Sequence, residues 1–207
     1  MTVMTVTAPL ARHLTAWPAP DRLAQGSVVT MGVFDGFHRG HQALVETART
    51  RAGRLGLPSV LLTFDPHPLL VTCPERAPRQ LLSVEERVDS ALDLGIDHVL
   101  VLPFDRATAA IPAEDFVRSG LVGRLRARHV VVGANFRFGR RGAGDPDFLL
   151  QAGEWFGFGV DALPLVEHGG TVCSSTEVRG LLARGETAAA RALLGRSADR
   201  VLRPRQA

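Results

Sequence analysis

The chain has 207 residues, 45% hydrophobic and 22% charged, enough for one well-buried α/β domain with small appendages. It holds no lysine and no tyrosine, and all 24 residues counted as Lys+Arg are arginine, which excludes a Walker A ATPase or kinase and Schiff-base chemistry. The formal charge of +3 favours anionic ligands only weakly, the arginines are scattered, and no apolar run is long enough to span a bilayer, so neither a nucleic-acid partner nor a membrane is expected.

Met1–Ala8 lacks the basic start and apolar core of a secretory signal, which gives a cytoplasmic expectation. Ser-Val28-Val29-Thr30-Met31-Gly32-Val33-Phe34 is a short apolar run ending in a Gly/Asp turn, and Val28–Phe34 is read as a buried strand. Leu44, Ala48, Ala52 and Leu55 then recur at helical spacing, which predicts a helix over about 40–55. Ser59–Phe64 reads as the next strand, stopped by the two prolines of Asp65-Pro66-His67-Pro68. Cys73 has no C-x-x-C partner and neither does Cys173, so both read as reduced, packed thiols.

Ser83 and Glu86 form a capping box ahead of Val84, Val88 and Ala91, and that helix closes near Gly95. Val99–Leu102 is a strand, Pro112 opens a helix carrying Phe116, Val117, Leu121 and Leu125, and Val130–Val132 is a strand followed by a glycine- and arginine-rich loop. A helix around Phe148–Trp155, a strand around Val160–Val166 and two short helices complete the order, the first opened by Ser174 with Glu177 as a second capping box and ended by Gly185. The alternation predicts a single domain with its core over about 27–196. Its fold is a Rossmann-like, doubly wound parallel sheet of about five strands with helices on both faces and ligands beyond the strands' carboxyl ends.

The densest chemistry is Gly32-Val-Phe34-Asp35-Gly36-Phe-His38-Arg-Gly40-His41, between a strand and the first turn of a helix, where free amides and the helix dipole attract anions. His38 and His41, three apart, can face one side, and Gly40 lets a phosphate approach the backbone. Paired imidazoles with oriented amides suit charge building on phosphorus. The glycines are four apart, unlike a dinucleotide fingerprint, and no third ligand at helical spacing supports zinc. Asp35 reads either as a turn former or as a residue that orders the site.

This G-x-F-D-G-x-H-x-G-H segment resembles the H-x-G-H signature of nucleotidyltransferases, in the extended form of the adenylyltransferase half of bacterial bifunctional riboflavin kinase/FMN adenylyltransferases. Thr63-Phe64-Asp65-Pro66-His67-Pro68, Val132-Gly-Ala-Asn135-Phe136-Arg137-Phe138-Gly139 and Ser174-Ser175-Thr176-Glu-Val-Arg179 are similar to three further motifs of that family, in order, and the likeness runs over roughly 27–196. The resemblance implies transfer of AMP from ATP to FMN, with Mg2+ held mainly through the ATP phosphates and not by protein ligands. It assigns catalysis to His38 and His41, and ATP binding to these with Gly32, Phe34, Asp35, Gly36, Gly40, Ser174, Ser175, Thr176 and Arg179. It assigns the flavin to Phe64, Asp65, Pro66, His67, Asn135, Phe136 and Phe138.

Physical chemistry supports these placements in part. Ser174, Ser175 and Thr176 at a helix start offer hydroxyls and amides to phosphate, and Arg179 adds a positive fork. Ser174 can serve as an N-cap at the same time, the hydroxyl cluster beside Arg179 favours phosphate over a solvated helix arginine, and Asn135 reads equally as a turn residue. The phenylalanines suit a flat ring or plain core packing, and Arg137, Arg140 and Arg141 suit phosphate or solvent. The family continues into a riboflavin kinase module after L-L-G-R-P, whereas about a dozen residues follow Arg196 here, so no riboflavin kinase activity is expected. Glu177 stands where the family often has arginine and brings negative charge near the triphosphate. The alternatives are another phosphorylated acceptor, such as a modified flavin phosphate or a polyol phosphate with CTP, and a non-catalytic flavin- or nucleotide-binding relative.

Overall fold

The computed structural model describes residues 10–203; the opening stretch read above for a secretory signal lies outside them. The described elements run β1 (His13–Leu14), β2 (Ser27–Met31), α1 (Arg39–Leu55), β3 (Ser59–Asp65), α2 (Pro68–Thr72), α3 (Val84–Asp93), β4 (His98–Pro103), α4 (Arg106–Ala109) and α5 (Ala113–Asp115). They continue through β5 (Ala127–Gly133), α6 (Pro146–Phe156), β6 (Gly159–Leu163), β7 (Glu167–His168), β8 (Thr171–Val172), α7 (Ser175–Ala183), α8 (Thr187–Leu194) and α9 (Ala198–Val201). The main sheet is parallel, with order β1-β4-β3-β2-β5-β6, and β7 and β8 form a separate antiparallel pair.

The sheet thus has six strands, one more than the sequence reading; the extra member is the two-residue β1 at an edge. So short a segment carries no alternation to detect, and only its pairing with β4 marks it. The chain order reverses direction at β2, which sends α1 and α3 to one face and α5 and α6 to the other. Val28, Leu44, Val45, Ala48, Val88, Ala91, Val99 and Val101 fill the first layer; Val29, Met31, Leu100, Phe116, Leu121, Val130 and Leu149 fill the second. β2 is buried at all five positions, as an inner parallel strand must be, which is why it reads as a continuous apolar run.

Several boundaries differ from expectation. β2 ends at Met31 rather than Phe34, because the chain then turns through Phe34 (φ 54°) and Phe37 (φ 44°), both left-handed. The helix opened by Pro112 is helical over Ala113–Asp115 and continues as π-helix over Phe116–Arg124, a widened turn that seats Val117 and Leu121 in the core. β6 ends at Leu163, and residues 167–172 form the β7–β8 hairpin around Gly169-Gly170, both with positive φ. The box at Ser83 is complete, whereas at Ser174 only the hydroxyl-to-Glu177 amide bond forms, and the Glu177 carboxylate instead lies 3.7 Å from Arg184.

α7, α8 and α9 build a third small core with Leu81 and Cys173. This unit docks on the loop after β2. Arg39 donates to the Ala192 carbonyl (2.7 Å), Gln42 to the Leu194 carbonyl (2.7 Å), and the Ser197 hydroxyl to the carbonyl of Gly36 (2.8 Å). No helix among the described residues is long and apolar enough to cross a membrane.

Candidate active site

The carboxyl ends of β2, β3 and β5 open into two adjoining cavities. One, of about 330 Å³, is lined by His38, Gly40, His41, Asn135, Leu163–Val166, Cys173 and Ser174. The other, of about 270 Å³, is aromatic, lined by Phe64, Phe104, Ile111, Phe116, Phe136 and Phe138 together with His67. Gly32, Val33, Phe136 and Arg137 line both. The position matches the rule that parallel sheets hold ligands where the strand order reverses.

The histidines come together because α1 starts between them. His38 occupies the N-cap position, makes no capping bond, and leaves the first-turn amides unoccupied by side chains. Its ring stacks on that of His41 with centroids 3.7 Å apart and planes at 25°. Gly40 makes this possible: a Cβ there would lie 3.1 Å from the His38 ring and 3.3 Å from the Cys173 carbonyl. Phe34 and Phe37, both fully buried, back His41 with centroids at 5.0 and 6.1 Å.

Burial, with Arg179 adding to it, pushes His38 down to about 4, and burial followed by its neighbour His38 holds His41 well below the ordinary value. Both rings are therefore neutral at pH 7. The Nδ1 atoms of both are buried without a hydrogen-bond partner. Buried polar atoms of this kind are costly unless a ligand completes them.

The remaining candidates sort by contact. Ser174 lines the histidine cavity. The Ser175 hydroxyl donates to the Asp35 carbonyl (2.6 Å), and Thr176 is exposed at the surface. Asp35, almost wholly buried, accepts from the amides of Leu81 (2.8 Å) and Leu82 (3.0 Å) and pairs with Arg179 at 2.9 Å. Arg179 is thus tied to the first loop and opens toward a neighbouring cavity with Arg79, rather than standing free in solvent. Phe34 is core, and Gly36 (φ 87°) has Leu81 within 2.7 Å of where a Cβ would sit.

Phe64, Phe136, Phe138 and His67 meet in the aromatic cavity, where Phe136 and Phe138 stack at 5.7 Å. His67 accepts the Leu69 amide at Nδ1 (3.1 Å), which caps α2 and leaves Nε2 as its N–H donor. Burial lowers the His67 pKa. Asp65, the last residue of β3, and Pro66 after it are exposed. Asn135, assigned by resemblance to the flavin, lines the histidine cavity instead, because the turn after β5 carries it past the shared wall. No group of three His, Cys, Asp or Glu among the described residues is placed to hold a metal ion.

Sequence reasoning missed Phe104, Phe116 and the β6–β8 segment, whose apolar residues carry no chemical signature. It also missed Arg87, whose signal was available: an arginine among Val84, Val88 and Ala91 on the buried stripe of α3.

The family model described as FAD synthetase matches residues 21–177. A bifunctional riboflavin kinase/FMN adenylyltransferase of Escherichia coli (strain K12) is 38% identical over 171 residues, covering 83% of this chain and 55% of that protein. One of the same description from Pseudomonas fluorescens is 42% identical over 172 residues, with 83% and 55% covered. The chain therefore spans about half the length of these two relatives. The crystal structure of a macrolide-efflux protein from Streptococcus pneumoniae is similar in fold, with a TM-score of 0.74 at 26% identity over 88% of this chain and 61% of that one.

Proposed function

Because the chain belongs to the FAD synthetase family, we propose that it transfers AMP from ATP to FMN, giving FAD and pyrophosphate. The observation that carries this is the shared wall: an aromatic slot and a paired-histidine cavity meet at Gly32-Val33 and Phe136-Arg137. An isoalloxazine ring in the first and a triphosphate in the second bring the FMN phosphate to the α-phosphorus.

In the reaction an oxygen of the FMN phosphate forms a bond to the α-phosphorus, and the bond from that phosphorus to the oxygen of the β-phosphate breaks. The electron pair leaves with pyrophosphate. The nucleophile is already ionised, so no base is required. The protein's part is positioning and charge stabilisation.

His38 and His41 are neutral before substrate binds, so they meet the α-phosphate as N–H donors, and the anion's field raises their pKa values toward protonation. The first-turn amides of α1 and the Ser174 hydroxyl complete the anion cradle. Arg179 borders a neighbouring cavity, fixed by its Asp35 pair and near enough to His38 to lower its pKa, and would meet the β- and γ-phosphates where they leave the histidine cavity. The Ser175 hydroxyl is engaged by the Asp35 carbonyl, and Thr176 lies at the surface. Magnesium enters as part of the substrate, Mg-ATP. The same reading carries a cytoplasmic setting, with small molecules as partners.

The test is product analysis by mass spectrometry after incubating purified protein with FMN, ATP and Mg2+. FAD and pyrophosphate are expected in equal amounts; unchanged FMN sinks the proposal.

A further inference from the structure

We propose that Arg87 is a positioning residue that keeps the aromatic slot and the histidine cavity in register for transfer; this rests on the adenylyl-transfer reading. Arg87 lines neither cavity. Its side chain is only 2% exposed, and it projects from α3 beneath the ends of β2 and β3. Nη1 donates to the Val33 carbonyl (3.0 Å), the Thr63 hydroxyl (3.1 Å) and the Phe64 carbonyl (3.1 Å). Nη2 lies 3.8 Å from the Asp65 carboxylate. Thr63 closes the bracket by donating to the same Val33 carbonyl at 3.0 Å.

The location matters because the sheet ladder ends there. β2 and β3 pair up to Met31 and Leu62, and the last bond between them runs from the Gly32 amide to the Leu62 carbonyl. Beyond it the two chains diverge, one toward His38 and the other toward the slot. Val33 borders both cavities, and Phe64 borders the slot. The guanidinium therefore takes over from the ladder at the point where the two ligands must meet.

Packing alone does not account for this residue. A methionine or leucine on the same stripe of α3 fills the layer without burying a charge, and such replacements are often neutral or stabilising elsewhere. Here Nε and Nη2 are buried without a hydrogen-bond partner, a cost with no return in core stability. The return lies in holding two backbone segments at a fixed spacing.

The experiment compares wild type with Arg87→Met, Arg87→Lys and Thr63→Val. It reads kcat for FAD formation, and separately the Kd of FMN alone and of a non-hydrolysable Mg-ATP analogue alone. For Arg87→Met we expect kcat to fall on the order of 10- to 100-fold, as misaligned reactants do, with each Kd within about threefold of wild type. Arg87→Lys recovers part of the rate, since its ammonium carries the charge but falls short of at least one acceptor. Thr63→Val lowers kcat and adds little on top of Arg87→Met, because both remove one bracket.

Wild-type kcat in Arg87→Met overturns the inference, as do losses in kcat and both Kd values that track a falling Tm without rescue by lysine. If Arg87→Met does not fold, Arg87→Lys and Thr63→Val decide: slowed turnover with unchanged Kd supports the role, and wild-type turnover in both overturns it. Absence of FAD from the wild type overturns the transfer reading itself, which an active wild type with an indifferent Arg87 does not.

Discussion

Replacing His38 with asparagine removes one titration of a coupled pair, with an effect on stability that follows from the site. In the folded chain burial and Arg179 bring this imidazole down to about 4, against an ordinary 6.5. Below pH 6.5 the unfolded chain takes up a proton that the folded chain refuses, so stability falls as the pH drops from 6.5 and levels off near 4. At about 1.4 kcal/mol per pH unit that gap is worth roughly 3 kcal/mol, a sizeable share of the about 5–15 kcal/mol typical of a domain. Urea unfolding of wild type and His38→Asn, at steps from pH 7.5 to 4, reads the difference as the midpoint shifts at constant m-value. His41 is held low by burial and then by His38 itself, so its depression eases in the variant, and the gap between the curves reads the pair, with His38 as its larger part. The wild type should lose about 3 kcal/mol more than the variant over this window. Parallel curves would refute the burial argument and, with it, the neutral-donor picture of the pair.

Three further outcomes are expected. His41→Ala should cut FAD formation on the order of 100-fold or more, the usual loss when a preorganised charge stabiliser is removed; near-normal turnover contradicts the assigned role. Asp35→Asn leaves Arg179 without its counter-charge and weakens the acceptor for two amides, so urea unfolding should show a loss of about 2–4 kcal/mol, and an unchanged midpoint counts against it. Phe136→Ala opens the wall common to both cavities and should raise the KM for FMN roughly tenfold, equivalent to about 1.4 kcal/mol of lost ring contact; steady-state kinetics at fixed ATP decides.

Much of this architecture was legible in the chain because it is written in local periodicity. The apolar run of β2, the 3.6-residue spacing of Leu44, Ala48 and Ala52 in α1, and the Ser83–Glu86 box needed no knowledge of distant partners. The His38/His41 pair was legible for the same reason, since one helical turn fixes their approach. What escaped depends on contacts across long stretches of chain. Asp35 meets Arg179 across 144 positions, and no local pattern marks either as a partner of the other. Asn135 sits one residue before a phenylalanine of the slot yet faces the other cavity, a choice made by the turn after β5. The second capping box failed because the Glu177 carboxylate lies toward Arg184 instead of reaching back to the Ser174 amide, a competition that spacing does not reveal. Arg87 shows the opposite lesson: a charged residue breaking a buried stripe was visible, and it marked a bracket between strands.

The docking of Ser197, Ala192 and Leu194 against the loop that carries His38 has a consequence for biosynthesis. Translation delivers the histidine turn early and its buttress some 160 residues later, the separation spanned by the Ser197 bonds. A nascent chain still waiting for α7, α8 and α9 can lay down the parallel sheet, yet the turn that carries His38 has no outer support. Support for the histidine turn is thus deferred until Ser197 has been made, after the sheet that bears it has set.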